Sequence, residues 1–472
     1  MDAPPPPSPA PPALPRRAAL LRTACGFGGL ALSGLSAGGA PLGPHLPVRA
    51  KRMIFLFMAG GVSQVDSFDP KPRLGIDDGK KMPFGDLRSL AKTGKSPPQR
   101  VMKALWEFAP RGRSGLEVSE LFPEIAGIAD DLCVVRSLHT EGIAHGPATL
   151  FLHCGATTAV RPSFGSWIDY GLGTENDELP GFVSLAPALG NGGPRNYASA
   201  FLPPVHQGTP VGRAGQPARE AGIRNLAPAR SGGLADAGRD LLAGIAAAQA
   251  AARPGDRELE AVIAAGELAA RMQSAAPRVF DLSGETPETL ALYGIDGGPC
   301  DDFGRRCLLA RRLCEAGVRF VQVNYSDDSN NPAWDQHADM PKHAVHARAT
   351  DRPVAALVRD LKRRGLLDDT IVWWGGEFGR TPYAQDDGTG RDHNPAGFTV
   401  WLAGGGFRAG HVHGATDEYG HQAVVDRVHM HDLHATLLAA LGLDHTRLTF
   451  RHAGRDYRLT DVAGRVESRL FA

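Results

Sequence analysis

The sequence predicts an α/β fold in which helices sandwich a mostly parallel central sheet. Three short apolar runs, rich in β-branched and aromatic residues, are typical of buried parallel strands and lie at 52–58, 319–324 and 371–374. An amphipathic stretch at 345–369 separates the last two runs. Because a strand–helix–strand unit requires a right-handed crossover, these two strands are expected to lie parallel in one sheet.

The composition is that of a globular protein without a dominant charge. With 472 residues, 42% of them hydrophobic, the chain can bury a substantial core. Lys plus Arg equals Asp plus Glu at 51 each, so no net field favours nucleic acid, and we expect no nucleic-acid partner. The six cysteines lack the spacing of a zinc finger or redox pair, which favours buried thiols.

The first 40 residues predict a leader rather than part of the fold. Residues 1–14 are proline-rich and are predicted to be a disordered tail. Residues 15–40 place Arg16 and Arg17 before a weakly apolar, glycine- and alanine-rich stretch, which is typical of a twin-arginine export signal. We therefore predict export to the periplasm or cell envelope, with no stable membrane span because the stretch is short and glycine-rich. A basic tail followed by a low-complexity linker is the alternative.

The remaining chain, 50–472, is predicted to be a single α/β domain with a helical insertion at about 190–280. The insertion is loop-like at first and then alanine-rich, and it carries no evident chemistry. Helical spacing predicts helices at 116–132, 147–152, 303–318 and 428–443, and a further short apolar run predicts a strand at 398–402. Each apolar run is followed by polar residues.

Metal-ligating residue types follow three of the predicted strands. Ligands of open α/β sheets bind just outside the carboxyl ends of the strands, and carboxylates and imidazoles are the usual ligands of divalent metals there. Asp66 is therefore a candidate metal ligand at this edge, and the other residues that follow the strands are candidates for chemistry there: Asp335, His337, Glu377, Asp392 and His393. The alternative is a set of polar loops without chemistry, since loops at strand ends are polar by default.

Two further groups of residues are candidates for catalysis. Arg380 follows the strand at 371–374 together with Glu377. His145 stands just before the helix predicted at 147–152, where the positive end of a helix favours an anion. Thr149 lies within that helix.

The order of these motifs resembles a family of exported, sulfatase-like proteins labelled domain of unknown function 1501, within the alkaline phosphatase superfamily. The resemblance covers most of residues 51–463 and is carried by FLFMAGGVSQVDSFDPKP, HGPATLFLHCG, WDQH, GEFGRTP, GRDHNP and LAGGGFRAGHVHGATDEYG. It implies an alkaline-phosphatase-like sandwich with two divalent metal ions (zinc, calcium or manganese) that hydrolyses sulfate or phosphate esters, including esters of glycans.

The resemblance also assigns positions within the site. It places Glu377 where the superfamily has a metal-binding Asp and Phe378 where a His follows. Asp335, His337 and His393 fall at other ligand positions, with Asp392 beside His393. The resemblance therefore implies a divalent metal site made of these residues: Asp66, Asp335, His337, Glu377, Asp392 and His393. The chain departs from the pattern after the first strand, where Gly60 and Gly61 replace an Asp and Asp66 or Asp69 must substitute for it.

The formylglycine motif C-x-P-x-R of sulfatases is missing from the sequence. His145 falls at the position of its Cys, Pro147 matches its Pro, and Thr149 replaces its Arg. The nucleophile is therefore His145, Thr140, Thr149 or water, and metal ligation or anion binding is favoured for His145.

Three functions remain open from the sequence. The first is an exported, metal-dependent hydrolase of sulfate or phosphate esters that is not of the formylglycine type. The second is a non-catalytic binding or scaffold protein on the same fold. The third is a transferase of a phospho group, in which the insertion would cover the acceptor.

Overall fold

The structure is a computed structural model that describes residues 42–83, 99–223, 233–329, 331–384 and 389–472. The predicted tail at 1–14 and the predicted export signal at 15–40 lie outside the described residues. Within the described ranges, every helix is too short or too polar to cross a lipid bilayer.

The strands in chain order are β1 (Arg52–Met58), β2 (Phe108–Arg111), β3 (Leu116–Ser119), β4 (Leu132–His139), β5 (Phe182–Leu185), β6 (Thr209–Val211), β7 (Phe320–Tyr325), β8 (Thr370–Gly375), β9 (Gly379–Ala384), β10 (Arg391–Asn394), β11 (Phe398–Ala403), β12 (His411–His413), β13 (Ala415–Thr416), β14 (Ala423–Val425), β15 (Val428–His429), β16 (Phe450–His452) and β17 (Arg455–Tyr457). The α-helices are α1 (Pro72–Ile76), α2 (Pro123–Ala126), α3 (His145–Cys154), α4 (Phe164–Leu172), α5 (Gly233–Ala252), α6 (Arg257–Phe280), α7 (Pro287–Leu292), α8 (Asp301–Glu315), α9 (His343–Arg363) and α10 (Met430–Ala440). Short 3₁₀ turns lie at Gln64–Asp66, Ala129–Asp131, Gly193–Tyr197, Pro204–His206, Ala218–Glu220, Leu282–Gly284, Met340–Lys342 and Ser468–Leu470.

Nine of the described strands form one sheet in the order β12-β4-β11-β8-β1-β7-β5-β6, with β15 also paired to β4. Strand β1 lies at its centre and runs parallel to both β7 and β8, and β5 and β6 continue the parallel part. Strand β11 runs antiparallel to its neighbours β8 and β4. The predicted α/β class with a mostly parallel central sheet is confirmed.

Strand β1 shows why the sheet is covered on both faces. Its side chains alternate between two apolar clusters, so that Ile54, Leu56 and Met58 enter one and Met53, Phe55 and Phe57 enter the other. Helices α8 and α9 cover the first face, and α3, α4 and α10 cover the second. Because both faces are buried, the strand is apolar at every position after Arg52 rather than at every second one.

Two local predictions are wrong. The helix expected over 116–132 is replaced by β3, which pairs with β2, and by the four-residue helix α2. Pro123 begins α2 and cannot lie inside a longer helix, because it lacks an N–H and its ring clashes with the preceding turn. The segment after β8 was expected to be a polar loop, but β9 and β10 form an antiparallel hairpin there.

The alanine-rich part of the predicted insertion forms the two long helices α5 and α6. Most described side chains of α5 are exposed, whereas α6 contacts α8 and the turn at Pro204–His206. The insertion boundaries at about 190 and 280 stay a prediction.

Candidate metal centre

Four polar side chains meet at the carboxyl ends of the central strands. Asp335 and His337 lie in the segment after β7, His393 lies on β10, and His145 is the first residue of α3. Each of these residues offers one donor atom that lies within 4.8 Å of the others. Among the described residues, this is the one group of three or more His, Cys, Asp or Glu side chains with such a geometry.

Asp335 lies at the centre of the group. Its Oδ1 is 2.8 Å from His337 Nε2 and 3.3 Å from His393 Nε2, and its Oδ2 is 3.1 Å from His145 Nε2. The two Nε2 atoms of His337 and His393 are 2.9 Å apart. Donors around a tetrahedral cation with bonds of about 2.0–2.1 Å lie roughly 3.3 Å apart, which is close to these separations.

Two backbone features bring the surrounding segments close enough. Gly60 follows β1 with φ of +111°, and a Cβ there would lie 2.6 Å from the backbone nitrogen of Asp335. A Cβ at Gly390 would lie 2.0 Å from the backbone carbon of His337. Glycine therefore allows the strand end and the hairpin to pack against the segment that carries Asp335 and His337.

The ring orientations of two histidines are fixed from behind. His145 Nδ1 lies 2.6 Å from Glu377 Oε1, and His393 Nδ1 lies 2.6 Å from the carbonyl oxygen of Ile143. Both oxygens are acceptors, so each Nδ1 carries a hydrogen and each Nε2 faces the group. This arrangement is the usual outer layer of histidine ligands in metal sites.

Glu377 is fully buried and lies one layer behind the four donors. Its two carboxylate oxygens accept hydrogen bonds from the Gly60 N–H at 3.0 and 3.1 Å, in addition to the contact with His145. Its predicted role as a ligand stays a prediction, and its contacts favour the positioning of His145.

Arg380 is also fully buried, and its N–H groups are occupied by protein acceptors. Its Nη2 donates to Asp335 Oδ1 at 2.7 Å and to the carbonyl of Gly60, while Nε and Nη1 donate to the carbonyls of Gly61 and Arg391 at 3.0 and 3.1 Å. The predicted catalytic role of Arg380 is not tested by this geometry, which places its charge behind Asp335.

The electrostatics keep the central carboxylate ionised. Burial alone would raise the pKa of Asp335, but the imidazoles of His145, His337 and His393 and the Arg380 guanidinium bring it well below its usual range. Burial lowers the pKa of His393 to about 3, assisted by the Arg380 charge. His393 is therefore a neutral imidazole, which is the form that binds a metal.

The pKa of His145 shifts in the opposite direction to that of His393. Burial opposes its charged form, but the carboxylates of Asp335 and Glu377 outweigh burial and raise its pKa. Its Nε2 is buried and makes no aligned hydrogen bond with any described group, although Asp335 Oδ2 is 3.1 Å away. A buried polar atom without a partner is costly, and a cation between these atoms would satisfy both.

The group is open on one side. The side chain of His337 is 27% exposed, whereas those of His145 and His393 are 9% and 11% exposed and that of Asp335 is 2% exposed. On the enclosed side, the ring of Phe378 stacks on His393 with centroids 4.4 Å apart and lies 5.0 Å from His145. A ligand from solvent can therefore approach beside His337.

The other predicted site residues lie at the border or outside the group. Asp392 Oδ1 accepts from the His393 N–H at 2.7 Å and is 3.7 Å from His337 Nδ1. Asp66 is fully buried and pairs with Arg391 at 2.8 Å, away from the four donors. Thr149 lies within α3, and its carbonyl accepts from His153 Nδ1 at 2.7 Å.

The sequence did not indicate the backbone contributions to the site. The N–H of Gly60 and the carbonyl of Ile143 hold Glu377 and His393, and no side-chain motif marks such groups. The glycine pair after β1 was the available signal, because glycines after a strand often permit a close approach of the backbone.

The sequence model of a family described as "Protein of unknown function (DUF1501)" matches residues 50–471. The chain belongs to this family. No curated protein matches the chain.

Several solved structures resemble the fold at low identity. The lipoteichoic acid synthase LtaP from Listeria monocytogenes is 7% identical, with 88% of this chain and 76% of that chain covered and a TM-score of 0.38. The PsFucS1 sulfatase from Pseudoalteromonas sp. is 12% identical, with 84% and 68% covered and a TM-score of 0.35. The alkaline phosphatase from the Antarctic bacterium TAB5 is 10% identical, with 76% and 92% covered and a TM-score of 0.29.

Proposed function

We propose that this protein is an exported, metal-dependent hydrolase of sulfate or phosphate esters, including esters carried by glycans, and that it uses one divalent cation. The observation that supports the proposal is the group of His145, Asp335, His337 and His393, which converges at the carboxyl edge of the sheet and is open beside His337. Such an edge is where open α/β sheets bind their ligands.

The donor types favour particular metals. Three imidazoles and one carboxylate suit Zn²⁺ or Mn²⁺, whereas Ca²⁺ takes six to eight oxygen ligands. Calcium, one of the three metals expected from the resemblance, is therefore disfavoured. A single cation is also favoured over two, because Asp66 is engaged with Arg391 and the apolar Phe378 packs against the enclosed side.

A bound divalent cation supplies positive charge to the ester oxygens and activates water as a nucleophile. The side chains of this chain would prepare that chemistry. Glu377 orients His145, Ile143 orients His393, and Arg380 keeps Asp335 in its charged form. Water is favoured over Thr149 as the nucleophile, because the Thr149 side chain is buried within α3.

The test combines metal analysis with turnover. Purified protein is expected to carry about one zinc or manganese ion and to hydrolyse members of a panel of aryl sulfates, aryl phosphates and aryl phosphodiesters. Asp335→Asn and His393→Ala are expected to lose both the metal and the activity. The control His452→Ala should keep both, because His452 is an exposed histidine on β16 and is not one of the four donors. Wild-type protein without metal after reconstitution would refute the proposal.

The alternatives have distinct outcomes in the same assay. Bound metal without turnover of any ester supports the non-catalytic binding protein. Ester cleavage that accelerates when a glycan or lipid alcohol is added, with the phospho group appearing on that alcohol, supports the transferase.

A further inference from the structure

A cavity of about 460 Å³ lies at the edge of the sheet, beyond the strands that carry the metal-site residues. It is enclosed by the ends of β5 and β6, by α8, and by the segment 280–295. The four metal-site donors do not line it. Its volume falls within the range of roughly 300–1,000 Å³ that is common for small-molecule sites.

The walls of the cavity are mainly apolar. Six aliphatic side chains form them: Leu185, Val211, Leu282, Leu290, Ile295 and Leu309. An apolar body bound there would be removed from water, which favours its binding.

Three arginines also line the cavity, against one acidic residue. Arg305 and Arg306 come from α8, and Arg219 comes from the turn at Ala218–Glu220, which packs against α8. The acidic residue, Asp281, is engaged in capping a helical turn, where its Oδ1 accepts from the Ser283 N–H at 2.9 Å. The lining residues therefore carry three positive charges against one negative charge, and each arginine also pairs with a carboxylate outside the lining: Glu220, Asp301 or Asp302.

One of the buried N–H donors of Arg306 lacks a hydrogen-bond partner. It is only 7% exposed, and its Nη1 and Nη2 donate to the carbonyls of Asn324 and Gln216 at 3.3 and 3.0 Å, with Asp302 Oδ2 at 2.5 Å from Nη2. Its buried Nε has no hydrogen-bond partner. Burial lowers the pKa of Arg306, so its surroundings do not fully compensate for the lost hydration.

Arg305 leaves donors available as well. Its Nε and Nη2 contact Asp301 at 2.6 and 3.5 Å, and its side chain is 31% exposed. A guanidinium has five N–H donors in a planar fork, so a second anion can bind on the side away from the aspartate.

We propose that this cavity binds an amphipathic organic anion, with an alkyl body against the aliphatic walls and a carboxylate or sulfate group at the arginines. The aliphatic walls would contact the alkyl body, and the arginine N–H groups would bind the anionic group. The site is separate from the metal centre and does not depend on the proposed hydrolase activity.

Calorimetric titration with octanoate, octyl sulfate and octanol tests this proposal. Both anions are expected to bind at one molecule per chain. Octanol should bind at least about tenfold more weakly, because it offers no negative charge to the arginine N–H donors. Equal binding of octanol would show that no anion site exists and would overturn the proposal. The titrations are run with and without metal, and the anions should bind equally in both.

Variants locate the binding. Leu309→Trp should fill the cavity and abolish octanoate binding, and Arg305→Gln should weaken binding by about tenfold while leaving octanol unaffected. The matched control is Leu241→Trp on α5, where the leucine is 65% exposed and lies outside the cavity. Unchanged binding in Leu309→Trp would overturn the proposal, as would loss of binding on metal removal, which would place the anion at the metal centre instead.

Discussion

Glu377 shows how a residue predicted for one role can be placed for another. It follows β8 directly, as a ligand would, but its carboxylate faces His145 Nδ1 and the Gly60 N–H instead of joining the four donors. A carboxylate in that position strengthens a histidine ligand by fixing its tautomer and raising its basicity. The contacts of Glu377 therefore favour a role in orienting the donor His145 over a role as a donor itself.

The variant Glu377→Gln tests this role. It keeps the shape of the side chain but removes the charge, so zinc affinity is expected to fall by about 10–100-fold while one zinc still binds. Competition titration with a chelating dye measures the affinity. The matched control is Glu117→Gln, which makes the same change at an exposed position of β3. Complete loss of zinc at saturating concentration would instead make Glu377 a ligand.

Asp66 gives a second test at this scale. It forms a fully buried ion pair with Arg391 and also accepts from Ser63 Oγ and the Leu105 N–H at 2.5 and 2.9 Å. Asp66→Asn is expected to lower the free energy of unfolding by about 3–5 kcal/mol, because it leaves a buried guanidinium uncompensated. Urea denaturation measures the loss. A variant of wild-type stability that has lost its metal would contradict this structural role and support the predicted ligand role.

The sequence indicated which residue types would gather, but not how they would be layered. Asp335, His337 and His393 were predicted as ligands and lie in the four-donor group, whereas Asp66 and Glu377 are engaged elsewhere. All five follow strands or lie near strand ends, so their positions in the sequence look alike. The difference depends on contacts with residues about 230 to 320 positions away, which a local pattern does not contain.

At the scale of elements, the strand order positions the site. Strands β7 and β8 flank β1, so the segments that follow all three strands meet at one edge. The hairpin of β9 and β10 then returns across this edge and delivers His393 opposite Arg380. The buried strands were predictable from their continuous apolar runs, but the hairpin was not, because its strands are polar and lack a period-two pattern.

A substitution at Gly60 tests how closely the end of β1 packs against the segment that carries Asp335. Gly60→Ala should lower the free energy of unfolding by at least about 1–3 kcal/mol, because φ at this position is +111° and strains a residue with a Cβ. The new Cβ would also meet the backbone nitrogen of Asp335, so the variant should displace Asp335. Metal affinity and denaturation are measured together. Gly75→Ala on α1 is the control, since a Cβ there meets nothing within 4 Å and φ is not positive. Equal behaviour of the two variants would contradict the close approach.

For the whole molecule, buried neutral histidines predict how stability depends on pH. Burial lowers the pKa of His434 to about 3 and that of His153 to about 4. The unfolded chain takes up these protons near pH 6.5, so unfolding binds protons below that pH. The stability contribution is complete above about pH 6.5 and is lost as the pH falls towards 4 and then 3.

His434→Gln checks this dependence in metal-free protein. His434 Nε2 donates to the carbonyl of Leu152 at 2.8 Å, and the glutamine amide can replace this donor without titrating. The variant should lose less stability than wild type between pH 7 and pH 4, by a difference on the order of 3 kcal/mol. Urea denaturation at several pH values gives the slopes, with His452→Gln as the control. Parallel slopes for wild type and variant would show that His434 does not contribute.

The central claim is that four side chains from three separate segments hold one cation. The most direct measurement is anomalous X-ray scattering from a crystal of the zinc-loaded protein at the zinc absorption edge. We expect one peak within about 2.0–2.2 Å of donor atoms of His145, Asp335, His337 and His393. Two peaks, or one peak away from these four residues, would contradict the account.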